Sequence, residues 1–113
     1  MRYRLLLIVL AGVLVGTPVT AQRTTTYEQI TVANSAIGVA AATYANMAVC
    51  ELRLETAEVR WRVDGTDPTS AVGTPLYPGD VLRVESVVDM RFIKFIRTGT
   101  TSGVLNVWCW PRA

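Results

Sequence analysis

The stretch AVCELRLETAEVRWRV, residues 48–63, decides the fold. In its first half Ala48, Cys50, Leu52 and Leu54 alternate with Glu51, Arg53 and Glu55. In its second half Val59, Trp61 and Val63 alternate with Glu58, Arg60 and Arg62. Apolar residues at a period of two turn one face of each segment to a core and the other to water, the mark of a half-buried β-strand. Thr56-Ala57 leaves room only for a tight connection, so the two strands read as antiparallel neighbours. The interleaved charges carry both signs. They predict a solvated mixed-charge face with cross-strand ion pairs of small individual worth.

Working downstream, Asp64 to Gly73 is a dense cluster of turn residues. Pro78-Gly79 suits the centre of a type II turn, with glycine supplying the positive φ. It leads into a strand over Val81–Val88, with Leu82 and Val84 on one face. Met90–Arg97 is the most apolar strand downstream of residue 21, holding Phe92, Ile93, Phe95 and Ile96 around Lys94. Apolar residues in both parities predict a central strand covered on both sides. After a small-residue loop, Val104–Trp110 sets Leu105, Val107 and Cys109 on one face and Trp108 and Trp110 on the other. Working upstream, Tyr27–Val32 reads as a first strand, and Ile37–Val39 resumes it on another edge. Ala40-Ala41-Ala42 invites a helix but is short and follows Gly38, so it reads as strand or loop. About seven short strands at regular spacing, and no helix, predict an all-β fold: a single immunoglobulin-like antiparallel β-sandwich.

The amino-terminal end is different in kind. Met1-Arg2-Tyr3-Arg4 carries two positive charges, Leu5–Val15 is an unbroken apolar run, and Gly16, Pro18 and Ala21 follow. This is the n-region, h-region and small-residue cleavage pattern of a secretory signal. The run is far shorter than the roughly 20 residues of a membrane span. The expectation is a signal peptide over residues 1–21, cleaved after Ala21, and a β-sandwich domain over residues 22–113; an uncleaved anchor is the alternative. No cysteine follows the small residues, which argues against a lipoprotein. The expected location is periplasmic or extracellular, with no membrane association after cleavage.

Taking Arg2 and Arg4 from the eleven basic residues leaves nine against nine acidic ones. A neutral domain has no electrostatic basis for binding nucleic acid. Cys50 and Cys109 both fall on the apolar phase of their strands. In an oxidising compartment they are candidates for a disulfide; the alternative is two buried thiols acting as small hydrophobes.

The segments VRWRVDGTDPTSAVGTPLYPGDVLRV (59–84) and MRFIKFIRTGTTSGVLNV (90–107) resemble two groups of proteins. One is the immunoglobulin-like module at the carboxy-terminal end of chitobiase and β-hexosaminidase type enzymes. The other is a set of small, mostly uncharacterised β-sandwich proteins of tailed bacteriophages, with a similar D-G-T-x-P-T turn, G-D-x-L strand start and S-G-x-L ending. ITVANSAIGVAAATY (30–44) looks more like the phage set and extends the resemblance over most of the domain. Either resemblance implies an accessory or structural role without catalysis, and the phage one implies association with a virion. The phage proteins begin near the first strand, so residues 1–21 depart from that pattern.

Several constellations bear on function. Asp64, Asp67 and Asp80 offer oxygen ligands of the kind calcium takes. Aspartate is also a common turn residue, because its side chain bonds the nearby backbone, and no metal is expected. Trp61 shares its phase with Val59 and Val63 and reads as core. Trp108 and Trp110, outward on the last strand, form a candidate contact surface, since exposed apolar patches mark association sites. Tyr77 joins them as a loop aromatic. Arg53, Arg60 and Arg62 on paired strands offer a cationic surface, but Glu51, Glu55 and Glu58 interleave with them.

The chain has no histidine, the usual general base and a common metal ligand. Ser35, Ser70, Ser86 and Ser102 therefore lack that partner, and Lys94, the only lysine, lies within the most apolar strand. Composition allows a carboxylate pair for glycoside hydrolysis, but one small sandwich leaves little concavity for a substrate. The expectation is a non-enzymatic module without cofactor. It associates with a protein partner or with itself; the alternative is an accessory module that binds surface glycans through Tyr77.

Overall fold

A computed structural model of the chain describes residues 24–112. The expected signal segment, residues 1–21, and its expected cleavage point lie outside them. The chain forms β1 (Thr26–Val32), α1 (Ala41–Tyr44), β2 (Met47–Glu55), β3 (Val59–Arg62), β4 (Thr74–Leu76), β5 (Val81–Val84), α2 (Val87–Phe92), β6 (Lys94–Arg97) and β7 (Gly103–Pro111). Two antiparallel sheets result, one ordered β1-β7-β2-β5 and the other β4-β3-β6. The expected seven-stranded β-sandwich is therefore present.

The period-two pattern does what it predicts. Cys50, Leu52 and Leu54 on β2, Leu105, Val107 and Cys109 on β7, and Val59 on β3 are buried between the sheets with Phe95 and Ile93. Their removal from water is the main favourable term in the fold. Met47 is buried although it has the opposite parity to Cys50. Its register with Pro111, against Val49 with Trp110, leaves Ala48 as an extra residue on β2. That bulge flips the face which Met47 presents. Gly103 opens β7 where the sheets touch, and a Cβ there would stand 2.8 Å from a Val59 methyl. Gly79 takes φ 93° in the Pro78-Gly79 turn, as expected, and the Asp80 N–H closes that turn on the Tyr77 carbonyl.

Three sequence-based expectations need correction. First, β2 and β3 are not antiparallel neighbours; they lie in different sheets. Thr56 takes φ 75°, and its hydroxyl donates to the Glu55 and Ser102 carbonyls, turning the chain from one sheet to the other. Consecutive strands in opposite sheets both turn their apolar phase inward, so alternation cannot distinguish the two arrangements. Arg60 and Arg62 are accordingly separated from Arg53.

Second, the strand expected over Val81–Val88 stops at Val84, with Val87 and Val88 opening α2, and Met90–Arg97 is not one central strand. Its first residues end α2, and its last four form β6 at the edge of the smaller sheet, where Ile37 bridges to Phe95. Met90 and Ile93, three apart, are both buried, so a helical turn running into a strand produces the mixed parity. The Ser86 hydroxyl caps α2 by accepting the Asp89 N–H. Third, Ala41–Tyr44 is a single helical turn. Glu28 of β1 holds it by accepting bonds from the Ala40 N–H and the Thr43 hydroxyl.

Cys50 and Cys109 form a disulfide. They sit directly opposite one another on β2 and β7, with Cα atoms 4.0 Å apart, so the bond staples neighbours within one sheet. Both residues are buried in the core.

Candidate functional site

A sandwich has two outer faces, and here they differ. The smaller sheet turns Arg60, Arg62, Lys94 and Ile96 outward, at positions paired across β3 and β6. The turn-rich segment 64–73 folds back over this face. Pro68 is buried, Arg60 Nη1 donates to the Gly73 carbonyl at 2.7 Å, and Lys94 Nζ lies 3.6 Å from Asp67. Arg60 Nε is itself buried with no acceptor among the described residues, so the segment packs closely enough to dehydrate it.

The larger sheet keeps an open outer face. Its strand register sets side chains in rungs that run across β1, β7, β2 and β5. One rung is Tyr27, Trp108, Glu51 and Arg83; the next is Gln29, Asn106, Arg53 and Val81. Trp110 stands one rung beyond Trp108, opposite Val49. Tyr27 and Trp108 are 47% and 46% exposed, with ring centroids 4.7 Å apart and planes inclined at 44°. A groove of about 520 Å³ runs beside the indoles, lined by Thr25, Glu51, Arg53, Trp108 and Trp110.

Polar side chains order this face. The Tyr27 hydroxyl donates to Asn106 Oδ1 at 2.5 Å, and Asn106 in turn donates to Glu55. Arg83 bridges Glu51 at 3.1 Å and Glu85 at 2.8 Å. These bonds raise the affinity of Arg83 for its proton, Glu85 contributing most. Arg53, exposed at the centre of the face, has no ion-pair partner among the described residues.

The sequence-derived candidates are thus divided. Trp108 and Trp110 lie together on the outer face of the larger sheet. Tyr77 does not join them. It precedes the Pro78-Gly79 turn, which bonds to Leu54 near the opposite end of β2 from Val49 and Trp110. Tyr27 is the aromatic that alternation alone did not select, because its pairing with Trp108 is a contact across 81 residues of sequence. The three aspartates also go separate ways. Asp64 binds Arg62 at 2.6 Å, Asp67 meets Lys94, and Asp80 accepts the Tyr77 N–H at 2.9 Å. The Arg62 hydrogen bonds, helped by the Thr66 N–H, hold Asp64 down at about 2.

Among the described residues no helix is long and apolar enough to cross a membrane. Fold and site together define an all-antiparallel β-sandwich with one face closed by its own loop and the other displaying an aromatic cluster among charges. Comparison with protein-family models, curated proteins and solved structures finds no match.

Proposed function

We propose that the chain is an exported, non-enzymatic interaction module that binds protein through the outer face of its larger sheet. One observation carries this reading. Of the two outer faces, the chain covers one with its own segment 64–73 and leaves Tyr27 and Trp108 about half exposed on the other. Aromatic residues in an open patch are the side chains that contribute most at protein interfaces. The buried disulfide supports residence in an oxidising compartment, in keeping with the signal pattern of residues 1–21. The likeness of residues 30–44, 59–84 and 90–107 to small phage sandwiches supports a structural role, including a virion-associated one. The alternative, an accessory module that binds surface glycans through Tyr77, would use a different surface, since the exposed Tyr77 lies apart from the tryptophans.

The test is site-specific photocrosslinking of the full chain in cells that export it. A benzoylphenylalanine replacing Trp108 is expected to give a discrete protein adduct; the same residue at exposed Thr66 is expected to give none. Absence of an adduct from position 108, or equal adducts from both positions, would overturn the reading.

A further inference from the structure

We infer that the partner of this face is the same face of a second copy of the chain, related by a twofold axis lying across the strands between the rungs of Trp108 and Asn106. The inference rests on the contact reading above and names its partner. It is carried by the charge pattern. Glu51 and Arg53 stand two residues apart on one strand and point to the same side. Arg83 already engages Glu51 and Glu85, whereas Arg53 has no ion-pair partner among the described residues.

In a twofold interface residue i meets j and j meets i. An axis midway between the two rungs lays Arg53 of each copy over Glu51 of the other, so the unmatched guanidinium of each copy gains a carboxylate, two pairs in all. The same operation sets Trp108 over Asn106 and Trp110 over Val104 of the second copy, covering the groove beside the indoles. An axis along the strands would instead set Arg53 over Asn106 and leave the charge unmatched.

The size of the face limits its strength. The strands of this sheet run seven, nine, nine and four residues; at about 3.3 Å per residue and about 4.8 Å between strands they present roughly 460 Å² per copy. Two copies bury on the order of 1,000 Å², the lower bound for a specific interface, so the dimer is weak and concentration-dependent.

Sedimentation velocity on the oxidised, cleaved protein from micromolar to millimolar concentration tests this. The expected result is a reversible monomer–dimer equilibrium. Arg53→Glu and Glu51→Arg, each of which sets like charges against one another twice, should weaken it by at least about tenfold. The double swap, Glu51→Arg with Arg53→Glu, should restore most of the loss, because each copy again offers the charge the other needs. Melting curves establish that each variant is folded, and restoration by the double swap cannot come from unfolding. A strictly monomeric protein at millimolar concentration would overturn the inference, as would single swaps without effect or a double swap that does not recover. If the protein is monomeric yet position 108 crosslinks to a different protein, this inference fails and the contact reading stands.

Discussion

Reducing the Cys50–Cys109 bond is the perturbation whose size follows most directly from the structure. The bond joins residues 59 apart in sequence. In the chain-entropy model a loop of that length removes about 14 cal/mol/K from the unfolded ensemble, or about 4 kcal/mol at 25 °C. A domain of this size has a total stability of only about 5–15 kcal/mol. Each kcal/mol moves Tm by about 4–8 °C, so reduction should lower Tm by roughly 15–30 °C.

The burial of both cysteines adds a kinetic expectation. A phosphine reductant should act slowly on the native protein and rapidly in denaturant, because the sulfurs are reached only by opening the sheet. Calorimetry of the oxidised and fully reduced wild type measures the cost without creating a cavity. Cys50→Ala with Cys109→Ala should be at least as destabilised, since it also removes buried atoms. Oxidised and reduced forms melting within about 5 °C of each other would refute the loop argument. Immediate reduction under native conditions would refute the burial argument.

Gly103→Ala sets a Cβ 2.8 Å from Val59 and 2.9 Å from the Ala57 carbonyl, and should cost about 1–3 kcal/mol by urea titration. Gly99→Ala meets nothing within 4 Å and should stay within about 0.5 kcal/mol of the parent; equal effects would contradict the close contact of the two sheets at Gly103. Asp64, lowered to about 2 from an ordinary 3.8, should titrate near 2 by carbon-detected NMR and move up in Arg62→Ala. Because its folded value is depressed, its contribution is complete above 3.8 and disappears as pH falls through 2; an ordinary midpoint in the parent would exclude the pair in solution. Tyr27→Ala, which removes one ring of the exposed pair, should cost about 0.5–1.5 kcal/mol, whereas Phe95→Ala in the core should cost about 3–5 kcal/mol. Denaturation midpoints in the reverse order would invert the assignment of surface and core.

Much of the molecule is legible in local pattern, for a definite reason. A side chain's phase along a strand depends only on its neighbours in sequence, so alternation on its own places Cys50, Leu52, Leu54, Leu105, Val107 and Cys109 inside and Trp108 outside. The helical turn α2 was legible too. Ser86-Val87-Val88-Asp89 carries an N-cap serine with an acidic residue three positions on, a helix-start signal, inside a span that alternation reads as strand.

What alternation cannot carry is which strands are neighbours. The corner at Thr56, the adjacency of β2 and β7 that makes the disulfide, the Tyr27–Trp108 stack and the removal of Tyr77 from the patch all depend on contacts between distant residues. The covering of one outer face by residues 64–73 is of the same kind, since nothing in a turn-rich segment says which surface it will fold over. By itself the sequence determined an export pattern, an all-β chain and the inward or outward phase of most strands. Only the tertiary structure decided sheet membership, the stapled strand pair and the one open face, because pairing energy comes from partners that local periodicity does not name.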